Sequence, residues 1–200
     1  MNNKNSKLAL GIAALFEIIL IITAVTSIAS KQWNDLALIF LAAICILLPF
    51  LITSIANIKD IVLPQSFQLI SVLFVILAQY FGEIKKFYIV FWWWDLLLHI
   101  ISGSYAVITV LYLIQGIIIK EKGAAKQRYT IFTLIFAFSF SIALGTLWEM
   151  FEFTGDYLFK TTMVKGGLED TASDLIVKIL SALITSIIYY YRLNQNISKS

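Results

Sequence analysis

The sequence predicts an all-α, polytopic membrane protein, a transmembrane helix bundle with six transmembrane helices. Of the 200 residues, 60% are hydrophobic and only 14% are charged, whereas about 25% of the residues of an ordinary soluble domain are charged. Apolar segments of about 20 residues, the length that an α-helix needs to cross the hydrocarbon core, recur along almost the whole chain. We therefore expect residues 1–200 to form a single integral membrane domain.

Six apolar segments are candidate membrane spans, because each is continuous enough to satisfy its own backbone hydrogen bonds as a helix. They are Leu8–Ile28, Leu36–Ile58, Phe67–Phe81, Asp95–Ile119, Tyr129–Phe153 and Asp170–Tyr191. Pro49 lies within the second span, where a kink is tolerable. The aromatic-rich residues 87–94 after the third span are typical of a membrane interface rather than of another crossing.

Six spans place both termini on the same side of the membrane, and the Lys and Arg residues of the loops predict which side this is. Nine fall on the side of the termini: Lys4, Lys7, Lys59, Lys120, Lys122, Lys126, Arg128, Arg192 and Lys199. Five fall on the other side: Lys31, Lys85, Lys86, Lys160 and Lys165. Because short cytoplasmic loops are enriched in Lys and Arg, we predict a multi-pass protein of the cell membrane with both termini in the cytoplasm.

Seven of the twelve acidic residues lie in three short stretches of the second half of the chain. They are Asp95 in WDLLLH, Glu149, Glu152 and Asp156 in WEMFEFTGD, and Glu169, Asp170 and Asp174 in EDTASD. The first stretch opens the fourth span, the second closes the fifth and the third opens the sixth. All three should therefore meet at the extracytoplasmic end of the bundle.

The spacing within these stretches places polar side chains on shared helix faces. Residues three or four apart lie on one face of a helix, and the second member of each pair lies about 4.5–6 Å deeper or shallower than the first. The pairs are Asp95 with His99, which is the only histidine, Glu149 with Glu152, and Asp170 with Asp174. We expect these six side chains to face one another as a polar funnel.

Helix capping and ligand binding are competing explanations of these acids. Asp95 and Asp170 stand at predicted helix N-termini, where the helix dipole favours negative charge without any ligand. Glu149 and Glu152 stand near a predicted C-terminus, where the dipole opposes them and lipid adds a further penalty. The cluster must therefore take up protons or bind a cation. One histidine with several carboxylates suits Zn²⁺, Mn²⁺, Fe²⁺ or Mg²⁺.

Lys178 is a second intramembrane feature. It continues the face that carries Asp170 and Asp174 and lies about 12 Å below Asp170, near the middle of the bilayer. A charge at that depth needs a partner. We predict an intramembrane ion pair between Lys178 and either Asp174 or Glu17, which rises from the first span to nearly the same depth.

The motifs WDLLLH, WEMFEF with the following Asp156, and DTASDL resemble the pattern of the YjdF-type bacterial integral membrane proteins, a family of unknown function. They are more distantly similar to the VanZ-like proteins, which are linked to glycopeptide-antibiotic resistance. The resemblance covers residues 95–183, and Lys178 departs from it, because the family pattern implies an asparagine there. The matching positions are Asp95, His99, Glu149, Glu152, Asp170 and Asp174.

The leading functional hypothesis is a bacterial cell-envelope protein with an extracytoplasmic acidic and histidine site. In this hypothesis a divalent metal is held by His99, Glu149, Glu152 and Asp170, another carboxylate is the general base, and the ligand is an envelope-associated or lipid-linked molecule. One alternative is a proton- or cation-coupled transporter. Another is a non-catalytic envelope stress or antibiotic-resistance accessory protein. Whether the protein is an enzyme stays open, and no feature of the sequence indicates nucleic-acid binding.

Overall fold

The computed structural model describes residues 4–117, 124–159, 164 and 167–197, and every regular element in those ranges is helical. The α-helices are α1 (Lys4–Ala29), α2 (Trp33–Cys45), α3 (Leu48–Ile58), α4 (Phe67–Val75), α5 (Phe87–Val90), α6 (Trp94–Ile117), α7 (Ala124–Phe159) and α8 (Leu168–Ile197). A π-helix, Ile76–Ile84, continues α4 directly. The all-α prediction is confirmed.

Six helical segments are long and apolar enough to cross a membrane. They are Lys4–Ala29, Asp35–Ile58, Phe67–Ile84, Trp94–Ile114, Arg128–Leu158 and Leu168–Arg192. Large apolar side chains such as Ile22, Phe132 and Ile135 are exposed on these segments. Since water would penalise exposed apolar surface of this extent and lipid would not, the exposed side chains fit a bundle surrounded by lipid. The prediction of a polytopic bundle with six candidate transmembrane helices is confirmed.

The second predicted span, Leu36–Ile58, is divided into two helices. The break falls at Ile46 and Leu47, between α2 and α3. Pro49 lies in the first turn of α3, where its missing N–H removes no helical hydrogen bond. Pro49 thus lies at the start of a second helix within the span rather than inside one continuous helix.

The third predicted span, Phe67–Phe81, is too short, because the π-helix carries it on to Ile84. Gly82 and Glu83, which follow the predicted span, are buried within the π-helix. Gly82 permits a close approach to Tyr88, because a Cβ atom at this position would lie 2.7 Å from Tyr88 Cζ. The four-residue helix α5 that follows is too short to cross a membrane.

The fifth predicted span, Tyr129–Phe153, also ends too early, because α7 continues for six more residues. The Thr154 hydroxyl donates a hydrogen bond to the Met150 carbonyl at 2.7 Å, so Thr154 lies along the continuing helix rather than beyond its end. Glu149 is therefore about 15 Å from the C-terminus of its helix rather than in one of its last turns.

The other three spans differ from prediction only at their ends. The helices Lys4–Ala29, Trp94–Ile117 and Leu168–Ile197 stand where Leu8–Ile28, Asp95–Ile119 and Asp170–Tyr191 were expected. Residues 118 and 119 lie outside the described part of the chain, as do five of the loop lysines used to predict orientation: Lys120, Lys122, Lys160, Lys165 and Lys199. The side of the membrane on which the termini lie stays a prediction.

The chain separates into two compact units, residues 1–94 and residues 95–200. In the first unit, α1 contacts α2 and α4, and α2 contacts the π-helix. Its apolar core includes Phe16, Leu20, Ile46 and Val72. In the second unit, α7 packs along α8, and the apolar core is formed by Val107, Val110, Leu111, Leu134, Ala137 and Ala182. The expectation of one integral membrane domain stays a prediction.

We predict that Gly82→Ala destabilises the protein, because the added methyl group would collide with the buried Tyr88 ring. Overpacking of this kind costs about 1–3 kcal/mol. The measurement is the thermal unfolding midpoint in detergent. Gly11→Ala is the matched control, since nothing lies within 4 Å of a Cβ atom at Gly11 and alanine is the better helix former. Equal midpoints for the two variants would contradict the packing at Gly82.

Candidate functional site

His99 is the centre of the candidate site. It lies in the second turn of α6 and is only 2% exposed. Its Nε2 atom is 3.6 Å from Asp95 Oδ1 on the same helix and 3.5 Å from Glu149 Oε1 on α7. One helical turn therefore brings Asp95 to His99, and the packing of α7 brings a second carboxylate to the same nitrogen.

Two overlapping groups of side chains could each hold a metal ion. One is Asp95, His99 and Asp174, and the other is His99, Glu149 and Glu152. Within each group the potential ligand atoms all lie within 4.8 Å of one another. We call these five residues the acid–histidine cluster. Helices α6, α7 and α8 all contribute to it, and His99 belongs to both groups.

Several polar atoms of the acid–histidine cluster are buried without a hydrogen-bond partner in the described structure. They are both ring nitrogens of His99, Glu149 Oε1 and Asp174 Oδ2. A buried polar atom that makes no hydrogen bond costs about 1–3 kcal/mol, and more when the group is charged. Such atoms are rare in native proteins, so each requires an explanation. A proton or a cation bound within the cluster would supply the missing interactions.

Neighbouring side chains hold the two glutamates in place. The Trp148 indole N–H donates a hydrogen bond of 2.7 Å to Glu152 Oε1, and the Thr171 side chain contributes a hydrogen bond to Glu149. These two contacts were not predicted from the sequence. The four-residue spacing of Trp148 and Glu152 permits the hydrogen bond between them. The hydrogen bond between Thr171 and Glu149 joins α7 to α8, and no pattern in the local sequence indicates it.

Asp170 and Asp156 differ from the acid–histidine cluster. Asp170 lies in the first turn of α8 and belongs to neither potential metal group, although its charge acts on both Glu149 and Asp174. Asp156 accepts a hydrogen bond of 2.9 Å from the backbone N–H of Val164, so it ties the segment after α7 to that helix. The two groups thus contain five of the six predicted ligands, and the assignment of metal ligands stays a prediction.

Lys178 is buried one turn further along α8 than Asp174. Its aliphatic stem lies between two glycines of different helices, because a Cβ atom at Gly145 would be 2.7 Å from Lys178 Cδ and one at Gly103 would be 3.0 Å from Lys178 Cγ. Glu149 and Glu152 are the carboxylates whose charge acts on the ammonium group. The ion pair of Lys178 with Asp174 or Glu17 stays a prediction, and Glu17 belongs to the other unit of the chain.

Among the described residues, the carboxylates at the site outnumber the fixed cations. Full ionisation of Asp170 and of the four acids in the acid–histidine cluster would give five negative charges, against the one positive charge that Lys178 supplies within the described ranges. Several unscreened like charges cannot coexist at these separations inside a membrane protein. The cluster can therefore hold protons, a metal cation or both.

We predict that Trp148→Phe destabilises the protein by about 1–3 kcal/mol, because the buried Glu152 carboxyl loses its indole donor. Thermal unfolding in detergent measures the effect. Trp94→Phe is the matched control, since the Trp94 indole N–H is buried without a hydrogen-bond partner among the described residues. If Trp94→Phe were the more destabilising variant, loss of ring volume would explain both results and the hydrogen bond would have no stabilising role.

Similarity to a known protein family also indicates a membrane protein. Residues 9–195 match the model of the DUF2238 family, described as a predicted membrane protein. An uncharacterized protein of Thermotoga maritima is 28% identical over 128 residues, a segment that spans 64% of this chain and 64% of that relative. No solved structure matches the chain. Because the family model covers nearly the whole sequence, the protein belongs to the DUF2238 family of predicted membrane proteins.

Proposed function

We propose that this protein is a divalent-metal-dependent membrane protein of the bacterial cell envelope. Its acid–histidine cluster would bind one cation at the extracytoplasmic side and act on an envelope-associated or lipid-linked ligand. The observation that carries the proposal is the environment of His99, a buried imidazole that faces carboxylates and makes no hydrogen bond through either ring nitrogen within the described structure. The motif resemblance to YjdF-type proteins, and more distantly to VanZ-like proteins, supports an envelope setting.

The side chains suit a hard or borderline cation. One potential metal group offers a nitrogen of His99 and carboxylate oxygens of Glu149 and Glu152, and these atoms all lie within 4.8 Å of one another. Such ligands favour Zn²⁺, Mn²⁺, Fe²⁺ or Mg²⁺ over Cu⁺. A bound cation of this type would polarise a substrate oxygen or activate water. Asp95 and Asp174 would then accept a proton within the same cluster or complete the coordination.

The proposed ligand class follows from where the cluster lies on its helices. His99 is about 7.5 Å from the start of α6 and Asp174 is about 9 Å from the start of α8. If these helices cross the membrane as proposed, the cluster would lie below their ends rather than at the membrane surface, which supports a ligand that reaches this depth. A ligand with a polar head and an apolar anchor could bring its head to this depth while the anchor stays in lipid.

The metal content of the purified protein tests the proposal. We predict about one divalent ion per chain after equilibration with Zn²⁺ or Mn²⁺ and removal of excess metal, and a loss of most of it in His99→Gln and Glu149→Gln, because each variant removes a central ligand. Elemental analysis by mass spectrometry measures the ratio. Glu83→Gln is the matched control, because Glu83 is also a buried glutamate but belongs to the first unit. A wild-type protein that retains none of Zn²⁺, Mn²⁺, Fe²⁺ and Mg²⁺ would contradict the proposal.

A transporter is the second candidate function, and one specific observation favours it. Thr133, Ser141 and Ser181 are buried polar residues of α7 and α8 that lie further from the helix ends than the acid–histidine cluster. Thr133 is about 24 Å along α7 from Glu149, which is most of the thickness of a hydrocarbon core. Such a series of hydroxyls with Lys178 would suit a proton or cation pathway.

Two assays separate the candidate functions. The metal-loaded protein in nanodiscs is incubated with a bacterial lipid extract, and mass spectrometry follows lipids that disappear only when metal and His99 are both present. In parallel, proteoliposomes are tested for Mn²⁺ or proton flux. Metal-dependent lipid turnover without flux supports the enzyme, and His99-dependent flux without turnover supports the transporter. If Glu149→Gln and Asp170→Asn lower thermal stability but change neither metal content nor flux, the accessory function is favoured.

A further inference from the structure

The Lys178 side chain is held in a slot whose walls are the two glycines Gly103 and Gly145. A methyl group at Gly145 would contact both Lys178 Cδ and Lys178 Cε, at 2.7 and 3.1 Å, and one at Gly103 would contact Lys178 Cγ at 3.0 Å. A methyl group at Gly103 would also collide with the Ser181 hydroxyl. A larger residue at position 103 or 145 would displace the lysine, so the slot fits the aliphatic stem of Lys178.

Hydrogen bonds fix the walls of this slot. The Ser141 hydroxyl donates to the Gly103 carbonyl at 2.9 Å, which joins α7 to α6 beside the lysine. The Ser181 hydroxyl donates to the Lys178 carbonyl at 2.9 Å. Lys178 itself is only 4% exposed. Its stem therefore lacks the free space that a lysine needs to extend its ammonium group to the membrane surface.

The slot brings the end of the Lys178 stem close to α7, because a Cβ atom at Gly145 would lie 3.1 Å from Lys178 Cε, and Gly145 is one helical turn from Glu149. Glu149 and Glu152 on α7 attract the ammonium group, and His99 on α6 lies close enough to be affected by its charge. Asp174 stands one turn away on α8 itself. Glu149 and Glu152 belong to the same potential metal group, so the ammonium group and a metal ion would compete for the same two carboxylates.

We propose that Lys178 is a tethered cation that shares the carboxylates of the acid–histidine cluster and sets the affinity of the cluster for divalent cations. A metal ion would bind against the repulsion of an ammonium group that cannot move away. Repulsion between a fixed monovalent and a bound divalent charge is strong where water is scarce. This inference rests on the proposed function, since it assigns a role to Lys178 at the same site.

Direct binding of Mn²⁺ to the purified full-length protein in nanodiscs tests the inference, with electron paramagnetic resonance to quantify free Mn²⁺. We expect Lys178→Met to bind Mn²⁺ at least tenfold more tightly than wild type, which corresponds to about 1.4 kcal/mol. Lys178→Gln is the second variant, because it keeps a hydrogen-bond donor should methionine prevent folding. Arg192→Met is the matched control: it removes one positive charge from an exposed position of the same helix, and its affinity should stay within about twofold of wild type.

The outcomes separate this inference from the proposed function. Wild type and both Lys178 variants with equal Mn²⁺ affinity would overturn the tethered cation and leave the metal site intact. Binding to the Lys178 variants but not to wild type would support the tethered cation and overturn metal dependence of the natural protein. A tenfold gain that Arg192→Met reproduces would overturn the inference, because net charge alone would then explain the result. Absence of Mn²⁺ binding in every variant would overturn both.

Discussion

The burial of several carboxylates, with fewer fixed cations beside them among the described residues, is the constraint on which the second unit depends. Three carboxylates are each less than a tenth exposed, those of Glu149, Glu152 and Asp174. Among the described residues, Lys178 is the one buried lysine. Charges of like sign at such depth destabilise a membrane helix unless something compensates them. The hydrogen bonds from Trp148 and Thr171 offset part of this cost. The rest requires protons or a bound cation, and that requirement connects the packing of the unit to its proposed function.

Small side chains allow this arrangement. In a lipid environment helices associate through close packing and interhelical hydrogen bonds, and small residues let backbones approach. Gly103 and Gly145 serve a narrower purpose here, because the space they leave is filled by the stem of Lys178 rather than by a neighbouring backbone alone. Ser141 then joins the helices with a hydrogen bond to the Gly103 carbonyl. The same contacts that pack α6 against α7 therefore also position the cation.

The sequence predicted the fold class and much of the candidate cluster, because both follow from short-range rules. Segment length and hydropathy identify spans, and three- or four-residue spacing places Asp95 with His99 and Glu149 with Glu152. The alternation of span direction brought the three acidic stretches to one end. Rotation of α8 about its axis decides whether Asp170 or Asp174 faces His99, and spacing alone leaves that rotation undetermined, so the six candidate ligands stay a prediction.

Helix ends and side-chain environments were less predictable. Thr154 and Gly155 are typical of a helix end, yet tertiary packing carries α7 on to Phe159 and leaves Glu149 well inside it. The π-helix that extends α4 has no simple sequence signal. The slot around Lys178 depends on residues from three helices that are about 33 to 75 positions apart in the chain. Such contacts are set by packing between helices, which no local pattern encodes.

The proposed function depends on His99 and carboxylates from different helices forming one cation site. Anomalous diffraction at the zinc edge from crystals of the Zn²⁺-loaded protein would locate the bound ion. We predict one peak at about 2.0–2.1 Å from a His99 ring nitrogen and about 2.0–2.2 Å from a Glu149 oxygen. A peak bound elsewhere, or a His99 side chain that points away from Glu149 in a zinc-loaded crystal, would contradict it.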